Sequence, residues 1–180
     1  TLYETQIVKR PSLFIKTPYI ADIHDPHGEK ETQLAHSPSL GCCGLADANA
    51  KVLVAKNQNT KAKSAYVIYL AIFQDKHHEH CREIVGIHPK MAENLVENAL
   101  KNNVLSRLQN IMSYRRETNI HVEDLIHSRF DFSGIDENGV PFLMEVKNVP
   151  LADYEDLPKK EMKNKDYRNR DFRSKVAYFP

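Results

Sequence analysis

The chain has 180 residues, 41% of them hydrophobic and 27% charged, with 6 Gly and 9 Pro. That is enough for one domain or two small ones, and it excludes collagen-like and low-complexity disordered classes as well as a disulfide-stapled miniprotein. Lys plus Arg number 25 against 24 Asp plus Glu, a net charge of +1, so any nucleic-acid surface has to be a local patch.

No apolar run approaches the roughly 18 residues of a membrane helix, so no membrane partner is expected. Cys42, Cys43 and Cys81 are odd in number and two are adjacent. That argues against a disulfide framework and for a reducing, intracellular and cytoplasmic setting. Thr1 in place of Met, and the apolar Val176-Ala177-Tyr178-Phe179-Pro180 ending, read as trimmed ends and leave a removed targeting peptide open.

In chain order, residues 13–23 carry short apolar bursts, and Asp25-Pro26-His27-Gly28 supplies turn chemistry before a polar stretch to His36, the pattern of a hairpin. Residues 37–49 are rich in small side chains and read as a loop. Lys51-Val52-Leu53-Val54-Ala55 is a strand, and residues 64–74 are a long β-branched and aromatic run, again a strand. The first 75 residues therefore read as all-β. Residues 76–83 are polar and mark a linker. Within it His77-His78-Glu79-His80-Cys81 carries metal-binding side chains, but it lacks the spaced pairs of a zinc clip and reads as a solvated connector.

Beyond the linker, Pro89 opens a helical pattern of Met91, Leu95, Val96, Ala99 and Leu100, and proline suits a first helical turn. Residues 104–112 read as a second helix or an extension of the first. Strands are expected over 128–135 and 140–149, joined by Asp136-Glu137-Asn138-Gly139. The tail over 158–175 holds 8 basic residues against 3 acidic ones. Lys159, Lys160, Lys163, Lys165, Arg168, Arg170, Arg173 and Lys175 interleave there with Tyr167 and Phe172. Such a strip suits phosphate contacts and base stacking, and equally a solvated tail.

Chemistry concentrates on the last two strands. Residues two apart on a strand share a face, so Glu145 and Lys147 project together, as do Phe130 and Phe132, or Arg129 and Asp131. A two- or four-residue loop would put Asp131 on the face of Met144 and Val146. A three-residue loop of Glu137, Asn138 and Gly139 instead places Asp131 opposite Glu145, with Gly139 in the left-handed position such a loop uses. Two carboxylates and a lysine on one face suit a hard divalent cation, Mg²⁺ or Mn²⁺, held by Asp131 and Glu145, with Lys147 positioned to orient or help deprotonate a water and to offset charge on a scissile phosphate. The same pattern also fits a surface ion pair on a hairpin.

Ser128-Arg129-Phe130-Asp131-Phe132, then Glu145-Val146-Lys147-Asn148-Val149, then Tyr178-Phe179-Pro180 resemble the sugar fermentation stimulation protein family. Ala21-Asp22-Ile23, His36-Ser37-Pro38, Asn59-Thr60-Lys61-Ala62-Lys63 and the helix over 94–100 follow in the family's order, so the resemblance spans about 13–180. It implies an α/β (α+β) chain with an N-terminal all-β OB-like barrel over 1–75. The linker and a PD-(D/E)XK nuclease-like mixed-sheet domain over 84–180 follow, the latter cut short at its C-terminal end. It also implies catalytic roles for Asp131, Glu145 and Lys147, and a third metal carboxylate from Glu97, although many relatives carry two acids where this chain has Glu97-Asn98.

The expected function is a DNA-binding protein, DNA before RNA, with a divalent-metal-dependent nuclease site. The alternative is a non-catalytic nucleic-acid-binding regulator of sugar metabolism on the same scaffold. Expected nucleic-acid contacts are Arg129, Lys61 and Lys63 together with the basic tail, and a homo-oligomer is compatible with the sequence. OB folds often bind single strands.

Overall fold

In a computed structural model, the described residues are 1–29, 31–40, 42, 44–74, 82–123 and 126–149. The His77–Cys81 cluster, Cys43 and the basic tail lie outside them. The described residues divide into two compact units, Thr1–His88 and Pro89–Asn148.

The first unit is built from β1 (Tyr3–Lys9), β2 (Ile20–Ile23), β3 (Gln33–His36), β4 (Lys51–Lys56), β5 (Tyr66–Gln74) and β6 (Arg82–Gly86). The sheet order is β3-β2-β1-β4-β5-β6, and β3 also pairs with β5 in parallel, Ala35 opposite Tyr66 and His36 opposite Val67. That extra pairing closes the first five strands into a ring, leaving β6 outside as an edge. The five-strand connectivity is that of an OB-like barrel. On β4 alternation sets the core: Val52 and Val54 point inward between exposed Lys51 and half-buried Leu53 and Ala55, and Ile7, Ala21, Ile23, Ala35, Ile68 and Ala71 lie beside them, all fully buried.

Two strands of this unit depart from expectation. Tyr3–Lys9 forms β1 although only Thr5 and Ile7 are buried, too sparse an apolar signal to read. Arg82–Gly86, placed from sequence across the linker and the second domain, hydrogen-bonds along β5 from Leu70↔Gly86 to Gln74↔Arg82. The first unit therefore runs to His88 and not to residue 75. The hairpin read around Asp25-Pro26-His27-Gly28 is the antiparallel β2–β3 pair.

The second unit consists of α1 (Pro89–Lys101) and a three-stranded antiparallel sheet, β7 (Ser113–Val122), β8 (Ile126–Ile135) and β9 (Pro141–Met144), in that order. Pro89 starts α1 as expected. Residues 104–112 form turns, not a helix, and the strand β7 follows where none was expected. β7 alternates half-buried Tyr114, Arg116 and Thr118 with exposed Arg115 and Glu117. The polar character of its inward residues hides the period. Among the described residues no helix is long and apolar enough to cross a membrane.

Candidate metal and phosphate site

β8 and β9 pair Phe132↔Met144, Ser133↔Leu143, Gly134↔Phe142 and Ile135↔Pro141. The loop closes through Asp136 N–H on the Val140 carbonyl at 2.9 Å and Gly139 N–H on the Asp136 carbonyl at 3.1 Å. Residues 137–139 therefore form a three-residue loop, with Gly139 at φ 79°, a conformation open to glycine. Asp136 adds side-chain bonds from the amides of Asn138 and Val140, both 2.8 Å.

This register, carried one pair further, brings Asp131 beside Glu145. β9 itself ends at Met144, short of the strand expected to reach Val149. In place of a ladder bond, the Asp131 carboxylate takes over: its Oδ2 accepts the Val146 amide at 2.6 Å. The segment carrying Glu145 and Lys147 is thus tied to β8 by the aspartate. Lys147 Nζ donates to Glu145 Oε1. This hydrogen bond, and then the charge of Glu145, raise the Lys147 pKa above the usual lysine range. Phe132 is fully buried on the opposite side of β8, and Asp131 is half-buried.

Glu97 is placed differently. Its carboxylate accepts from Arg116 Nη1 at 2.5 Å and Tyr114 Oη at 3.0 Å, and it pairs with Lys101 at 3.3 Å. The hydrogen bond from Arg116, then that from Tyr114, hold its pKa below the ordinary carboxylate value. Arg116 is the β7 partner of Phe132, lies 5.2 Å from that ring's centroid, and also bonds Glu93 at 2.8 Å. Glu97 accordingly belongs to a clamp on the Phe132 side of the sheet. Among the described residues no three His, Cys, Asp or Glu side chains gather as a metal site, so Asp131, Glu145 and Glu97 are not brought together.

Arg129 is largely exposed and pairs with Glu117 at 3.6 Å, and Lys90 reaches the same glutamate at 3.3 Å. Glu117, at φ 52°, stands across from Asp131 between the pairs Arg116↔Phe132 and Thr118↔Phe130. Tyr114, Arg116, Glu93 and Glu117 were not singled out from the sequence. The alternation through Tyr114, Arg116 and Thr118 was the signal available. Lys61 and Lys63 are exposed on the loop between β4 and β5, in the barrel unit. Lys159, Lys160, Lys163, Arg168, Arg170 and Arg173 lie outside the described residues.

Comparison with known proteins bears on the whole arrangement. The model of the sugar fermentation stimulation protein RE domain matches residues 90–158. The sugar fermentation stimulation protein homolog of Alteromonas mediterranea is 33% identical over 140 residues, covering 75% of this chain and 54% of its own. That of Clostridium novyi is 26% identical over 149 residues, covering 82% and 56%. The chain thus spans about half the length of the curated relatives it matches. A solved structure, SfsA of Pyrococcus furiosus in complex with Ca²⁺, shares the fold with a TM-score of 0.58 at 15% identity, over 81% of this chain and 53% of that one.

Proposed function

We propose a function on the premise that this chain belongs to the sugar fermentation stimulation protein family: it binds nucleic acid, DNA before RNA, and carries a divalent-metal-dependent phosphodiesterase site at Asp131, Glu145 and Lys147. The observation that carries the reading is the convergence of the Asp131 carboxylate, bonded to the Val146 amide, with the adjoining Glu145–Lys147 pair. The solved relative's complex with Ca²⁺ supports a divalent ion, and Mg²⁺ or Mn²⁺ would serve catalysis.

The donor set fits such an ion. Asp131 and Glu145 offer hard carboxylate oxygens, and Mg²⁺ is typically held by one or two carboxylates with water and substrate phosphate completing its shell, so a third protein acid is not required. Bound there, the ion would lower the pKa of a water and polarise a phosphoryl oxygen. Asp131 has a second task, fixing the strand end that presents Glu145. Lys147, paired with Glu145, supplies a positive charge facing the charge that develops on the phosphate, or orients the attacking water. Water's proton leaves to solvent or to a phosphate oxygen.

Cleavage of labelled single- and double-stranded DNA and RNA with Mg²⁺ or Mn²⁺ tests this. Cutting that is lost with chelator, with Asp131→Asn and with Lys147→Gln is expected, and Lys147→Arg should retain more activity than Lys147→Gln because it keeps the charge. Salt-sensitive binding without cutting, unchanged by Lys147→Gln, would instead favour the non-catalytic regulator. The ion pairing of Lys147 with Glu145 is the observation that keeps that second reading in play.

A further inference from the structure

The barrel unit carries on its surface an open cavity of about 480 Å³, within the range of about 300–1,000 Å³ usual for small-molecule sites. The site at Asp131 makes no use of it. One part of its lining is a stacked aromatic pair, Tyr69 of β5 and His88, with ring centroids 4.6 Å apart and planes 8° from parallel. Ile20 and Val67 supply apolar surface, and Lys63 supplies a cation.

Both flanking loops are built structures. Buried Asp22 accepts from Ser12 Oγ at 2.5 Å and the Leu13 amide at 2.8 Å, pinning the loop between β1 and β2. In the loop between β4 and β5, Asn57 Nδ2 donates to the Ser64 carbonyl at 3.1 Å. The Asn57 and Asn59 side chains accept the amides of Asn59 and Lys61 at 3.0 and 3.1 Å. Those two loops flank the face on which OB folds bind oligonucleotides.

We propose that this cavity receives one unpaired nucleobase of a single-stranded nucleic acid, its ring continuing the Tyr69–His88 stack and its adjoining phosphate set against Lys63. The inference rests on the reading that the protein binds nucleic acid, and it adds strandedness. A base within a duplex is stacked and paired on its own strand partners and must be extruded to enter a pocket. A planar aromatic wall accepts any base face, so the contact selects single strands without selecting sequence.

Anisotropy of a labelled oligothymidylate with the full chain at low salt tests it. Tyr69→Leu should weaken binding about tenfold, and Tyr69→Phe less than that because it keeps the ring. Lys63→Gln, at an exposed position, should flatten the salt dependence by about one phosphate contact. An abasic oligonucleotide of equal length should lose affinity for the unaltered protein, a readout that needs no variant to fold. Equal affinity for the abasic strand, or an unchanged salt slope in Lys63→Gln, overturns the pocket while leaving nucleic-acid binding intact. Competition by a nucleoside monophosphate as strong as that by the strand would assign a free nucleotide and overturn the strand. Absence of oligonucleotide binding at low salt overturns this inference and its parent together.

Discussion

Gly134 shows how closely β8 and β9 must approach for the site to form. A Cβ there would stand 2.3 Å from the Ser113 carbonyl oxygen and 2.7 Å from the Phe142 ring. The first is backbone of β7 and the second a half-buried side chain of β9, so neither moves freely. Gly134→Ala should therefore destabilise the second unit by about 1–3 kcal/mol, the usual cost of overpacking, and urea unfolding followed by circular dichroism would measure it. The displacement would fall on β9, whose end delivers Glu145. A loss of divalent-ion affinity beyond the loss of stability, read by calorimetry under folding conditions, is the expected companion result. Unchanged stability would mean that β9 is held less tightly against β8 than the Phe142 contact implies.

The helix α1 meets β7 through charge. Glu93, Glu97 and Leu100 share one helical face. Leu100 is buried, and both glutamates reach Arg116 across to the sheet. Leu95 and Met91, read from sequence as part of an apolar stripe, are 64% and 41% exposed. Because Arg116 and then Tyr114 depress the folded-state pKa of Glu97, its contribution to stability is full above the ordinary carboxylate pKa and is lost as pH falls through the lowered one. The midpoint of thermal unfolding should drop as pH falls below about 4.5, and Glu97→Gln should remove part of that slope. Identical slopes in the two proteins would exclude the clamp. Much of the framework was legible without coordinates: β4, β5, the start of α1, and above all the register of β8 on β9, which followed from period-two parity and one glycine. What escaped did so for a common physical reason. β1, β6 and β7 are strands whose inward or edge positions are polar or sparse, so the pairing partner supplies what composition does not. Glu97 is engaged by β7, a strand not foreseen, and a helical acid cannot be assigned to a metal before the sheet beneath it is known.

The two units differ in how much core each possesses. The barrel buries a continuous apolar cluster including Ile7, Ile23, Val52, Val54, Ile68 and Ile87. Among the described residues of the second unit, only Leu100 and Phe132 are buried hydrophobics. Local stability follows buried contact, so amides of β1, β4 and β5 should exchange with solvent only near global unfolding, and those of β7, β8 and β9 at lower free energy. That asymmetry makes hydrogen exchange a direct assay for the proposed ion. A ligand that binds only the folded form stabilises it by about 2.7 kcal/mol at a hundredfold excess over its Kd. In the weaker unit, such a gain should appear as slowed exchange. Saturating Mg²⁺ should protect β8, β9 and the Val146 amide, already bonded to Asp131, while leaving β1, β4 and β5 unchanged, and Asp131→Asn should abolish the effect. Protection confined to the barrel would place the ion away from Asp131 and Glu145. It would leave Lys147 as the cation of a structural ion pair with Glu145 and remove the basis for a catalytic site there.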